Sequence, residues 1–291
     1  RDLLPQRSCL RHPSCEGRTV FVWEMGDCLR GPERCAAQSD ESAVQAACAD
    51  VIVAPYVQDS LESAPFWHRW GWLASGGAKP SKLAVVVSHC ARPERVPAAP
   101  LPVGNRTGAV LFGAVIPGIY PLRTRWARLL RGGHLPDGAV YPHPGWSTSG
   151  VGIDALGVTY SNVKLPLRVQ KHHLQYEAYL QRMANARLCL MDSSYRRLWL
   201  RKFSEAMLAG CVVVSDAPLD WGSVRQRRLF IRVDPQLEDV GLAAAVRRAY
   251  DDLPRLRRLQ RRAWRFARAR LTCQAKVARL LEAAARFRAG E

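Results

Sequence analysis

In the second half of the chain, apolar positions alternate between a helical and a strand-like spacing. Tyr176, Tyr179, Leu180 and Met183 recur at i, i+3, i+4 and i+7, which predicts a helix resting on a core. Arg187–Met191 follows as a short apolar strand. The stretch KFSEAMLAGCVVVSD, Lys202 to Asp216, then resumes the helical spacing, stops at Gly210 and runs into the apolar segment Cys211–Val214. Helix, glycine stop and buried strand make the αβ step of an open parallel sheet. Leu229–Val233 reads as a further strand, and helices are predicted over about 238–250, 254–270 and 273–288.

The first half shows the same alternation in shorter pieces. Thr19–Trp23, Val51–Ala54 and Leu83–Val87 read as strands, separated by the helical Ser42–Ala49 and the aromatic segment Phe66–Trp72. Arg92–Pro102 carries four prolines among small and polar residues and reads as a linker. A second series opens with the strand Ala109–Ala114, the loop Val115–Tyr120, the helix Arg123–Arg131 and the strand Ala139–Tyr141. Residues 145–168 are glycine-dotted and read as an irregular surface excursion. The expected organisation is a polar leader over 1–18, a first α/β domain over 19–103 and a second over 104–291.

Composition supports a folded chain. Of 291 residues, 48% are hydrophobic and 23% charged, proportions of a globular protein and not a disordered one. No apolar run reaches the roughly 20 residues of a membrane-spanning helix. The net charge is +18, nearly all of it arginine, which suits anionic partners such as nucleotide diphosphates, nucleic acid, acidic glycans or a membrane surface. The densest basic run, 255–270, places Leu256, Leu259, Ala263 and Phe266 on one side of a helix with arginines around the rest. With no recognition motif or interleaved aromatic platform beside it, that run reads as a solvated face, and no specific nucleic-acid partner is expected.

The nine cysteines include Cys189 and Cys211 inside predicted strands, where Cys acts as a small hydrophobe. Cys9–Cys15 and Cys28–Cys35 are candidate disulfides in a lumenal setting, and Asn105–Arg106–Thr107 is a glycosylation sequon with meaning in that same setting. A cytoplasmic location is the first expectation. A Golgi or endoplasmic-reticulum lumen is the alternative, should an anchor precede Arg1.

Candidate chemistry gathers at the carboxyl ends of the second series, where open α/β sheets bind ligands. Lys202 and Glu205 share one helical face, so one can meet a phosphate and the other a sugar hydroxyl. On YEAYLQRMANARLCLMDSS, RKFSEAMLAGCVVVSD and VLFGAVIPGIYPLR, the second half resembles the donor-binding domain of a GT-B glycosyltransferase, more closely the group-1-like CgeB/YkvP type. The resemblance implies two Rossmann-like domains facing a cleft, the first one short, with helices closing the chain. It implies transfer of a sugar from a nucleotide donor, UDP- or GDP-linked, to a glycan, protein or lipid acceptor, with no metal and no other cofactor.

Carried over residue by residue, the resemblance puts Glu205 on the donor ribose and Lys202 on the diphosphate. Gly113 becomes the first-strand glycine, Arg123 added positive charge and Gly210 the helix-closing glycine. Ser193 and His143 follow strands where a donor can be reached. A general base is expected from the first half, with His89 and Asp27 as candidates and Glu24 behind them. Where retaining relatives carry a second acid this chain has Arg197, and no D-x-D triplet occurs. The different-class alternative is a non-catalytic nucleotide- or glycan-binding protein on a degenerate GT-B fold.

Overall fold

The computed structural model describes residues 22–24, 51–54, 83–86, 90–113, 115, 118–141, 151–153, 159–161, 169–195, 197–218 and 228–289. The chain divides into two compact units, Arg1–Ser88 with Gln274–Glu291, and His89–Cys273. In the first, β1 (Val22–Glu24), β2 (Val51–Ala54) and β3 (Leu83–Val86) form a parallel sheet in that order. Val51 stands opposite both Val22 and Leu83. The apolar segments expected as strands therefore pair as expected, side by side and parallel.

The second unit holds a five-stranded parallel sheet of β4 (Thr107–Phe112), β5 (Ala139–Tyr141), β8 (Ala186–Leu190), β9 (Val212–Ser215) and β10 (Ile231–Arg232). Their order is β10-β9-β8-β4-β5. The helices are α1 (Pro121–Arg131), α2 (Val169–Asn185), α3 (Arg201–Leu208), α4 (Asp239–Asp251) and α5 (Leu253–Arg270); α6 (Cys273–Arg288) begins at the junction of the units. The stretch expected to be irregular contains an antiparallel pair, β6 (Val151–Ile153) and β7 (Thr159–Ser161). Its β-branched residues favour pairing, but the interspersed glycines masked the strand signal.

Alternation along the strands sorts the core. Ala109, Leu111, Leu188, Leu190, Val212 and Val214 join one buried cluster with Trp126 and Leu129 of α1, Leu242 and Val246 of α4, and Leu256 of α5. On the opposite face Phe112 stacks on Tyr141 at 5.4 Å and meets Tyr179 of α2 edge-on at 5.3 Å. Full burial of a Val, Leu or Phe side chain among these contributes about 1.5–3 kcal/mol. Trp126 is wholly buried, and its Nε1 donates to the carbonyl of Met191 at 3.0 Å, so the polar atom of the largest core side chain is satisfied.

The proline-rich stretch is not a loose tether. Ala91 forms a bridge with Thr272, Cys90 is disulfide-bonded to Cys273, and Pro93–Arg95 makes a turn of 3-10 helix. Two buried polar side chains hold the stretch down. Arg106 donates from Nε to the Leu101 carbonyl at 2.9 Å, from Nη1 to Ala186 at 3.4 Å and from Nη2 to Ala209 at 3.1 Å. Gln260 accepts from Val103 N–H at 3.1 Å and donates to the carbonyls of Leu101 at 2.8 Å and Gly210 at 2.9 Å. Proline signals a break in secondary structure, but its carbonyl and those of its neighbours still accept, and here they anchor the chain.

On α5, Gln260 and Ala267 join Leu256, Leu259 and Ala263 on the buried side, whereas the expected Phe266 is only half-buried. Cys189 and Cys211 are buried as expected, but as a disulfide and not as separate thiols.

Candidate donor site at the sheet switch point

The order β10-β9-β8-β4-β5 reverses direction at β4: the chain goes first to β5 on one side and later to β8 on the other. Loops leaving the carboxyl ends of β4 and β8 must therefore diverge and leave a crevice, the usual ligand position in such sheets. Here two hydrogen bonds donated from α1 to the β8 loop, and one donated in return, tie those loops together. Asp192 accepts from the backbone N–H of Leu122 at 2.6 Å and of Arg123 at 3.1 Å, and Tyr195 N–H donates to the Ile119 carbonyl at 2.9 Å. Asp192 thus caps α1, a helix some 70 residues earlier in the chain, and also accepts from Ser194 N–H.

Three of the sequence-predicted residues converge over this crevice. Gly113, directly after β4, has φ of 111°, a conformation that side-chain-bearing residues rarely adopt. A Cβ placed there would stand 2.5 Å from Lys202 Cε and 3.1 Å from Arg123 Nη1. Two cationic side chains, one from α1 and one from the first turn of α3, therefore lie against a stretch of bare backbone. Arg123 is 1% exposed, with its guanidinium 3.8 Å from the centroid of the Tyr120 ring; Lys202 is half-buried. A cation so placed is worth more than one in water, because little solvent screens it.

Glu205 lies one turn further along α3. It is 3% exposed, and its Oε1 pairs with Arg201 Nε at 2.8 Å across one helical turn. That pair fixes the rotamer of a buried acid. The i, i+4 spacing of Arg201 and Glu205 is visible in the sequence, where Lys202 is the basic residue expected to share a face with Glu205.

Two buried acids complete the setting. Asp216, after β9, accepts from Ser193 N–H at 2.8 Å, from Ser215 Oγ at 3.0 Å and from the Ser193 hydroxyl. Asp192 is pushed up from 3.8 to about 6, first by burial; the neighbouring Asp216 charge adds to the rise, while Arg123 and the N–H donors oppose it. Ser193 is fully buried and committed to Asp216, so its hydroxyl supports the loop and does not line the crevice. The Asp192–Ser193–Ser194 turn thus serves α1 as its helix cap. The helix that follows it, α3, has no side-chain cap.

Gly210 is not brought to the others. It follows the C-terminus of α3 at the amino end of β9, the opposite edge of the sheet from Gly113. Its φ of 72° closes the helix, and a Cβ there would strike Pro100 and come within 2.8 Å of Arg106 Nη2. The glycine is required by that packing. Arg197, where the resemblance would place a second acid, has φ of 56° and donates from Nε and Nη2 to the Ala217 carbonyl at 3.1 and 2.9 Å. His89, Asp27 and His143 lie outside the described residues. Glu24 ends β1 and does not follow it.

The parallel sheet, its switch point and the loops joined across it define a Rossmann-like α/β protein, and solved structures identify the architecture as the GT-B fold. HepE of Anabaena in complex with UDP is 15% identical, with 91% of this chain and 72% of that one covered and a TM-score of 0.52. A UDP-forming α,α-trehalose-phosphate synthase from Burkholderia xenovorans is 12% identical, with 92% and 68% covered and a TM-score of 0.54. The chain spans 64% of the length of sucrose-phosphate synthase from Thermosynechococcus elongatus, at 17% identity over 88% of this chain and a TM-score of 0.49. No protein-family model and no curated protein matches the sequence.

Proposed function

We propose that the chain is a glycosyltransferase of the hexosyl-transfer kind, within the CgeB/YkvP-type branch, which binds a UDP- or GDP-linked sugar in the crevice at β4 and β8. The observation that carries this reading is the convergence of Arg123 and Lys202 over Gly113. Bare backbone admits a diphosphate closely, and two fixed cations meet its charge. Glu205, oriented by Arg201, is the proposed ribose contact. HepE, whose fold this chain shares, is described as a complex with UDP.

In the reaction the bond between the anomeric carbon and the diphosphate oxygen breaks, an acceptor oxygen bonds to that carbon, and the acceptor proton passes to a base. Charge grows on the departing nucleoside diphosphate, so cations placed beforehand stabilise the transition state more than the ground state. Arg123 and Lys202 supply the compensation that a divalent metal gives elsewhere, which makes transfer metal-independent in this reading. His89 and Asp27 are the proposed acceptor-side bases; the acceptor is a glycan, protein or lipid.

The test is release of nucleoside diphosphate from UDP-glucose and GDP-mannose with a chelator present. Release by the wild type, at least about tenfold slower in Lys202→Ala, supports the proposal. Saturable donor binding without release from any donor assigns the chain to non-catalytic nucleotide or glycan binding.

A further inference from the structure

We infer that Asn105 is an N-glycosylation site and that this protein matures in an oxidising secretory lumen. Asn105–Arg106–Thr107 has the acceptor pattern, and Gly108 follows it. The fold presents the sequon. Asn105 ends the 3-10 turn Val103–Asn105 and Thr107 begins β4; both are exposed. Between them Arg106 has extended backbone, with φ of −108° and ψ of 153°. In extended chain, side chains two apart share a side and the middle one points the other way.

Arg106 is therefore the inward member, 1% exposed and bonded to three carbonyls, while Asn105 and Thr107 face solvent together. A glycan on the exposed Asn105 is therefore directed to solvent and not into the core.

An independent observation points to the same compartment. The structure joins Cys90 to Cys273 and Cys189 to Cys211. Disulfides persist in the secretory pathway and are rare where glutathione and thioredoxin keep thiols reduced. The second bond is interior, with Cys189 and Cys211 at 0% and 1% exposure, so it belongs to the folded core and is not a surface accident. Neither observation depends on the glycosyltransferase reading.

In the modification, Asn105 Nδ2 forms a bond to the anomeric carbon of an oligosaccharide carried on a lipid diphosphate. The carbon–oxygen bond to that diphosphate breaks, the lipid diphosphate leaves, and one amide proton is lost to a base of the host transfer machinery.

The experiment uses the full-length protein from its source cells, alkylated in denaturant before reduction, with peptide mass spectrometry before and after N-glycan removal. The expected result is a glycan on Asn105 that deglycosylation converts to aspartate, with Cys90, Cys189, Cys211 and Cys273 protected from the alkylating agent. Asn105→Gln and Thr107→Ala abolish the modification and Thr107→Ser keeps it, so loss through two different residues separates the sequon from a folding defect. An unmodified Asn105 in the native protein, or alkylated Cys189 and Cys211, overturns the inference.

Discussion

Lys202 lies across Gly113: a Cβ on that glycine would come within 2.5 Å of Lys202 Cε. Gly113→Ala therefore faces two penalties, a φ of 111° that suits only glycine and a cation that must move aside. The expected cost is about 1–3 kcal/mol in unfolding free energy, together with a loss of nucleoside-diphosphate affinity of about tenfold or more. Calorimetric melting and nucleotide titration of the same variant measure the two effects separately. A variant that melts lower but binds UDP as tightly as the wild type confines Gly113 to a packing role.

Arg201 orients Glu205, and the two differ in exposure. The arginine side chain is 49% exposed, so the pair itself adds little stability, on the order of 0.5 kcal/mol. Arg201→Ala should cost about 1–3 kcal/mol, since it takes a partner from a buried carboxylate, and should weaken donor binding several-fold, because that acid loses its fixed rotamer. Glu205→Gln keeps the shape and removes the charge. Equal affinities for wild type and both variants would show that Glu205 does not touch the donor.

Asp192 makes stability depend on pH in an unusual direction. Burial first, and the Asp216 charge second, raise its carboxyl from 3.8 to about 6 in the folded chain. Folding is thus favoured by the protonated form. The contribution is fully present below pH 3.8, falls as the pH rises through about 6 and is absent above. At about 1.36 kcal/mol per pH unit the swing is roughly 3 kcal/mol. Melting curves of wild type against Asp192→Asn between pH 3.5 and 7 isolate it: the wild type should lose stability relative to the variant as the pH rises from 3.8 to about 6 and level off above. A constant difference contradicts the assignment.

Arg106 acts on the fold and not on the site. Burial lowers its guanidinium to about 10, and three backbone carbonyls from three separate segments accept its protons. Arg106→Met should cost about 3 kcal/mol or more, since it strands buried acceptors of Leu101, Ala186 and Ala209. Arg106→Lys should recover only part of that loss, because an ammonium cannot span the same fork. Denaturant unfolding gives both values.

Elements coded by local pattern were legible in the sequence. The helix of Tyr179 and Met183, the glycine stop at Gly210 and the apolar strand after it follow from spacing and composition alone. The resemblance, and not local pattern, put Gly113 and Lys202 together at the donor diphosphate; in the fold the two lie side by side. Long-range polar contacts were not legible. Nothing local marks Asp192 as the cap of a helix that begins at Pro121, or Arg106 as a buried residue, since arginine ordinarily belongs to the surface. The proline stretch misled for the same reason: its anchors, Arg106 and Gln260, come from outside it. Ser193 looked accessible because its partner Asp216 follows a different strand, β9.

The central claim is that Arg123 and Lys202 hold a nucleoside diphosphate against Gly113. Calorimetric titration of wild type and Lys202→Ala with UDP and GDP, in a chelator at fixed low salt, tests it most directly. The account predicts saturable wild-type binding of at least one of the two, weakened about tenfold or more in the variant, near 1.4 kcal/mol. No saturable binding of either nucleotide, or equal affinity in wild type and Lys202→Ala, would contradict it.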